Sequence, residues 1–193
     1  NAYLTESSRN ATSRFEAADA FVSKIVQLEN LLLPREGDLG AMMSAFFGEM
    51  SAIAALPGDM SPRAAALEQG KTLASSFNQT ALVLEDLAGS SLAQLENDVE
   101  SVNLIARSLA NVNGRLRSSN LGGTPPNALL DERDRLISQL SERMNVTAAI
   151  GERFDVEVYL GKSELGPTLV RGEEVIPLSL VMTEENAIKF KLG

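Results

Sequence analysis

Between Pro62 and Pro125 the chain holds no proline, and an apolar residue returns every three or four positions for most of that distance. The series is Phe77, Ala81, Leu84, Leu87, Ser91, Leu95, Val99, Val102, Ile105, Leu109, Val112 and Leu116, with weak links at Ser91 and around Ile105. Such spacing draws one apolar stripe along a helix. Ser61 suits the N-cap and Pro62 the first helical position. Unbroken to Ser119, the helix would hold about 58 residues and reach roughly 87 Å. A rod of this kind cannot bury its stripe against itself. It needs shorter helices laid along it, or a second chain. Gly70, Gly89 and Gly114 lie inside the pattern, each costing about 1 kcal/mol against Ala. Gly89-Ser90-Ser91 is the expected place for a bend or break.

The flanking segments supply candidates to cover the rod. Leu4, Ser8, Ala11, Phe15, Ala18, Val22 and Ile25 step by four and three, which predicts a first helix ending before Pro34. Arg35 to Asp38 reads as a connector. Leu39, Met43, Phe46, Met50 and Ile53 predict a second helix, stopped by Pro57-Gly58-Asp59. Its methionines read as gap-fillers in a helix seam rather than as a docking groove. Ser118 to Pro126 is a loop by composition. A fourth helix opens at Asn127 with Leu129, Leu130, Leu136, Ile137, Leu140 and Met144 on a broad buried face, and ends near Asn145. From Val146 the period changes to two. Phe154, Val156, Val158 and Leu160 predict a half-buried strand. Leu169-Val170 and Val175-Ile176 flank Arg171-Gly172-Glu173-Glu174 as a hairpin, and Ile188, Phe190 and Leu192 form a last strand. The expected fold class is α+β: an elongated antiparallel bundle of long helices followed by a small antiparallel β region. The expected domains are a helical bundle over 1–145 and a β-rich region over 146–193. One chain is expected to fold back and cover its own spine.

Composition removes whole classes of function. Hydrophobic residues make up 44% of the 193, so a core is feasible, but aromatics are 5% with no Trp, which suits helix seams better than deep ligand pockets. The net charge of −9 opposes binding to a phosphate backbone or an anionic membrane surface, so neither nucleic acid nor membrane is an expected partner. No apolar run is long enough for a membrane-spanning helix. With neither Cys nor His, disulfides, thiolate or imidazole metal sites and Ser-His-Asp chemistry lie outside this chain's means. The start at Asn1 reads as a piece cut from something longer.

The remaining motifs carry no chemistry. Gly70-Lys71-Thr72 resembles the tail of a phosphate-binding loop, but the required earlier glycine is Ala65 and no strand precedes it. Asp131, Glu132, Arg133, Asp134 and Arg135 form the densest charge. Five successive helical positions fan around the axis, so they read as a helix N-terminus dressed with acids and salt bridges rather than a carboxylate site. Glu85-Asp86 and Asp98 with Glu100 read as a solvated face. Asn10, Asn78 and Asn145 begin glycosylation-like triplets that fall in or at the end of helices, a coincidence of sequence. No catalytic, cofactor-binding or metal site is expected, and the chain reads as a structural protein rather than an enzyme.

Two blocks carry a resemblance. The first contains Phe46-Phe47, Met50, Pro57, Asp59, Arg63, Leu67, Leu73-Ala74 and Phe77-Asn78. The second is Asn127-Ala128-Leu129-Leu130-Asp131-Glu132-Arg133-Asp134-Arg135-Leu136, followed by Leu140-Ser141 and Asn145-Val146. Together, over about residues 1 to 160, they resemble the flagellar hook-associated protein 1 family, hook–filament junction proteins of bacterial flagella. The resemblance implies a secreted, extracellular structural protein of the flagellum, exported by the type III apparatus. It implies a ring of copies between the hook protein and the second junction protein. Family members carry terminal coiled-coil segments that drive assembly. Neither is found here, so this piece is expected to be monomeric. Flagellin and the second junction protein share the plan of long helices followed by β; the Asn127 block favours the first junction protein. The rival from another class is a dimeric coiled-coil interaction protein of the cell surface, its stripe facing a second chain.

Overall fold

The computed structural model describes residues 2–32, 39–119, 127–185 and 187–193. Four helices come first: α1 (Ala2–Leu32), α2 (Leu39–Ala55), α3 (Met60–Ser119) and α4 (Asn127–Arg143). Six short strands follow: β1 (Val146–Ile150), β2 (Val156–Leu160), β3 (Thr168–Arg171), β4 (Glu174–Val175), β5 (Leu178–Met182) and β6 (Ile188–Leu192). The fold is α+β, as the periodicities predict. The expected connector at Arg35–Asp38 and most of the Ser118–Pro126 loop lie outside the described residues. Ser118 and Ser119 themselves close α3.

α3 is one helix of 60 residues and runs through Gly89 without a break. There the Ser90 and Ser91 hydroxyls donate to the Leu87 carbonyl at 3.0 and 2.7 Å. Its start differs from the expected one. The Ser61 N–H donates to Asp59 Oδ1 at 2.9 Å, so Asp59 is the cap. Pro62 then falls at the third helical position, where its missing N–H is still not needed. The Arg63 guanidinium donates to the Pro57 carbonyl at 2.7 Å and closes the same corner.

The chain divides into two compact units, residues 1–22 with 93–193, and residues 23–92. The first holds the core. Val102, Ala106, Leu109, Val112 and Leu116 of α3 are buried with Leu129, Leu136, Ile137 and Leu140 of α4 and Val146, Val156, Val158, Leu169 and Val170 of β1–β3. This core runs across the change from helix to strand near residue 145.

β1–β2–β3–β4 form one antiparallel sheet in sequence order, and β5–β6 form a separate two-stranded one. β1 escapes the alternation rule. β1 reads Val-Thr-Ala-Ala-Ile and buries both Val146 and Thr147, because the Thr147 hydroxyl spends its donor on the Gly161 carbonyl at 2.9 Å. β5 carries apolar residues on both faces, yet its burial still alternates, with Leu178 buried, Leu180 half-buried and Val181 exposed. Phe154, expected in the strand, instead sits in the β1–β2 turn at φ 64, and is 39% exposed. The β3–β4 hairpin matches its expected place. Arg171 pairs with Glu174, which leaves the two-residue loop Gly172-Glu173, and Gly172 takes φ 58.

The second unit is built differently. Phe46 packs over Gly70, where an added Cβ would come within 3.3 Å of the ring, so this glycine admits α2 to α3. Yet Ala66 is the single buried residue among those described in this unit. Phe77, Leu84 and Ile25, all stripe positions, are exposed. Phe15 and Val22 of the first unit's part of α1 are exposed as well. The expectation that the chain covers its own spine is therefore corrected. Covering succeeds along the last third of α3 and fails over its first half, since an apolar stripe is hidden only where a second layer lies on it.

A direct check compares two truncations by equilibrium urea unfolding. Leu140→Ala empties a fully buried site and should cost about 2–5 kcal/mol. Phe77→Ala removes a larger but half-exposed side chain and should cost under about 1 kcal/mol. Equal losses would contradict the placement of the core.

Candidate functional site

The charge cluster at the start of α4 is a fastening. Arg133 is 6% exposed. Its Nη1 donates to the Phe154 carbonyl at 2.8 Å, while Nε and Nη2 donate to Asp134 Oδ1 at 2.9 and 2.7 Å. A planar guanidinium reaches a turn carbonyl and a carboxylate from one rigid fork, a geometry that a lysine's compact ammonium does not reproduce. It thereby holds the one left-handed non-glycine residue among those described. Glu132 and Arg135 form a second fork at 2.6 and 3.0 Å on the exposed side. The hydrogen bonds from Arg135 hold the Glu132 carboxyl below its ordinary range, and the same bonds raise Arg135. Asp131 faces solvent. The five charges fan apart, as the helical spacing implies.

The other sequence candidates are placed as plainly. Gly70-Lys71-Thr72 lies inside α3, Lys71 pairs with Glu68 at 3.4 Å, and the Thr72 hydroxyl donates to the Glu68 carbonyl. That is helix surface, with no phosphate-cradling loop. Asp98 meets Arg143 at 2.9 Å beside a recess of about 420 Å³ that also takes in Ser13, Arg14, Glu16 and Lys162. The Asn145 Oδ1 borders this recess, buried and without a hydrogen-bond partner. On the sheet surface, the Tyr159 hydroxyl donates to Glu157, which raises the tyrosine's pKa. Among the described residues no cluster of three carboxylates is placed to hold a metal. None of these features brings an acid, a base and a nucleophile to one point.

What the described residues do present is apolar surface. Met43, Phe47 and Met50 of α2 and Leu67, Phe77, Leu82 and Leu84 of α3 stand exposed within the second unit. An open groove of about 520 Å³ runs between Phe46, Met50, Leu67 and Gly70. Scattered exposed leucines need no explanation, but these stand on a unit in which Ala66 is the single buried residue among those described.

A model of the flagellar hook-associated protein FlgK helical domain matches residues 25–193. The chain belongs to that family. Flagellar hook-associated protein 1 of Salmonella typhimurium is 25% identical over 183 residues, which cover 94% of this chain and 32% of the relative. The Escherichia coli protein of the same name is 24% identical over 183 residues, 93% of this chain and 34% of the relative. The structure of the flagellar hook junction protein FlgK from Burkholderia pseudomallei superposes with a TM-score of 0.81 at 22% identity, over 97% of this chain and 33% of that one. The chain thus spans about a third of the length of these relatives.

Within this FlgK-type fold, the Asn127 block is α4 itself. Leu129 and Leu136 enter the core and Arg133 fastens the β1–β2 turn. In the Phe46–Asn78 block, Phe46 and Leu73 are half-buried while Met50 and Phe77 stay exposed, so only part of the bulk expected at the α2–α3 seam is used there. Sequence reading missed Asn103 and Asn113. The signal was an amide placed next to a stripe residue, Val102 beside Asn103 and Val112 beside Asn113, inside the helix rather than at its caps. Asn113 is 0% exposed, and all its polar atoms are engaged by Val156 and Gly172.

Arg133→Ala leaves the carbonyl of the left-handed Phe154 without its guanidinium partner. It should lower stability by about 1–3 kcal/mol, and Arg133→Lys should recover less than half of that loss in the same thermal or urea series.

Proposed function

We propose that this chain is the helical and β portion of a hook–filament junction protein, a non-catalytic building block of the bacterial flagellum. The observation that carries the reading is family membership over residues 25–193 together with bare apolar faces on long helices. Exposed apolar faces of this kind favour contact with other chains, and assembly is what we read as covering them. By the family resemblance, we infer that the whole protein is secreted through the type III apparatus and forms a ring between hook and second junction protein. The acidic balance and the absence of Cys are compatible with an exported component. As an isolated chain it is read as a monomer, its faces meeting partners only in the longer protein and its assembly.

The test is genetic and morphological. Deleting the gene for the full-length protein from its own bacterium should leave hooks in place, abolish filaments and release filament subunits into the medium. In the full-length protein, Phe77→Glu with Leu84→Glu should weaken filament retention while the core unfolds as in the wild type. Normal filaments after deletion would overturn the reading.

A further inference from the structure

Two asparagines on α3 each occupy both backbone groups of a single strand residue. Asn103 Nδ2 donates to the Leu178 carbonyl at 2.8 Å, and its Oδ1 accepts from the Leu178 N–H at 2.8 Å. Asn113 treats Val156 the same way at 2.9 Å in each direction, and Nδ2 also donates to the Gly172 carbonyl at 2.7 Å. Leu178 opens β5 and Val156 opens β2. A primary amide offers the same donor and acceptor as a peptide, so it can stand where a neighbouring strand would.

The two clamps serve different sheets, and the sheets differ in what else holds them. β1–β4 have Val156, Val158, Leu169 and Val170 fully buried in the core. β5–β6 share no ladder with that sheet. Leu178 and Leu192 pair at their base and reach the core. The later pairs on the same face, Leu180 with Phe190 and Met182 with Ile188, turn outward, with Phe190 57% and Met182 61% exposed. The Ile176 N–H is still tied to the Leu169 carbonyl of β3. Pro177 has no N–H to contribute, so the attachment changes hands between Ile176 and Leu178. Gly193 donates to Pro177 and Thr183 to Ala187, which sets the ladder phase and points both Leu178 groups away from β6. Asn103 is what meets them.

We propose that β5–β6 is an arm hinged at Pro177 and latched to α3 by Asn103, able to come free while β1–β4 stay folded. A two-stranded ribbon on its own is marginal in water, so an unlatched arm also frays along its ladder. That makes the release visible at amides Asn103 never touches.

The test is hydrogen exchange by NMR on the chain with Asn103→Ala. Alanine is the best helix former, and position 103 is only partly buried, so α3 is retained. The ladder amides of Ser179, Val181, Lys189 and Lys191 should exchange about tenfold faster, as expected for losing one or two ordinary hydrogen bonds. Val158 and Val170 should keep their wild-type rates. Asn103→Asp, which keeps the acceptor but sets a carboxylate against the Leu178 carbonyl, should free the arm as well. Wild-type exchange of the arm in both variants would remove the latch. A parallel rise at Val158 and Val170 would show one cooperative sheet system with no separate arm, and would overturn the proposal equally. Neither result bears on whether the protein sits at a hook–filament junction.

Discussion

The burial of the last third of α3 against α4 and β1–β3 is the interaction on which the rest of this structure depends. Val102, Ala106, Leu109, Val112 and Leu116 step by four, three, three and four along one face. Each fully buried aliphatic side chain there contributes about 1.5–3 kcal/mol, a large share of a domain's net stability. The polar fastenings are set around this seam. Arg133 bridges α4 to the β1–β2 turn, and Asn113 joins α3 to β2 and the β3–β4 loop. The Glu173 carboxyl at the hairpin tip lies over Gly114, 2.9 Å from where a Cβ would stand. These groups are satisfied because the core fixes their partners first. None of them would hold the sheet without it.

Over residues 23–92 the balance is the opposite. Helices draw most of their stability from a packed apolar face rather than from intrinsic propensity. Here the faces exist, in Met43, Phe47, Met50, Leu67 and Phe77, but little lies on them. The corner at Pro57–Asp59 is well made, with a cap at Asp59 and a clasp from Arg63. Local signals of good quality thus coexist with an almost empty interior. On the proposed reading, the covering of this part comes from elsewhere in an assembly.

Much of this was legible in the sequence where a residue's role followed from its neighbours along the chain. The stripe located α3, the Pro57-Gly58-Asp59 stop ended α2, and the Gly172 hairpin was visible from its flanking pairs. That the charges at 131–135 fan apart was readable from helical geometry, but the burial of Arg133 under the β1–β2 turn was not. What stayed hidden depended on distant partners. β1 breaks alternation because the Thr147 hydroxyl is satisfied by the Gly161 carbonyl, and the backbone groups of Leu178 are met by Asn103, 75 positions away. Phe154 looked like a strand residue and is a turn residue, since its left-handed backbone is held by an arginine 21 positions away. The stripe predicted a buried seam over its whole length, and periodicity cannot say which part of a face receives a second layer.

The account therefore rests on uneven protection within one continuous helix. Native-state hydrogen exchange along α3 measures this most directly. Amides from Val102 to Leu116 should exchange only through global unfolding, while those over residues 63–92 should exchange through openings of much lower free energy. Uniform protection from one end of α3 to the other would contradict it.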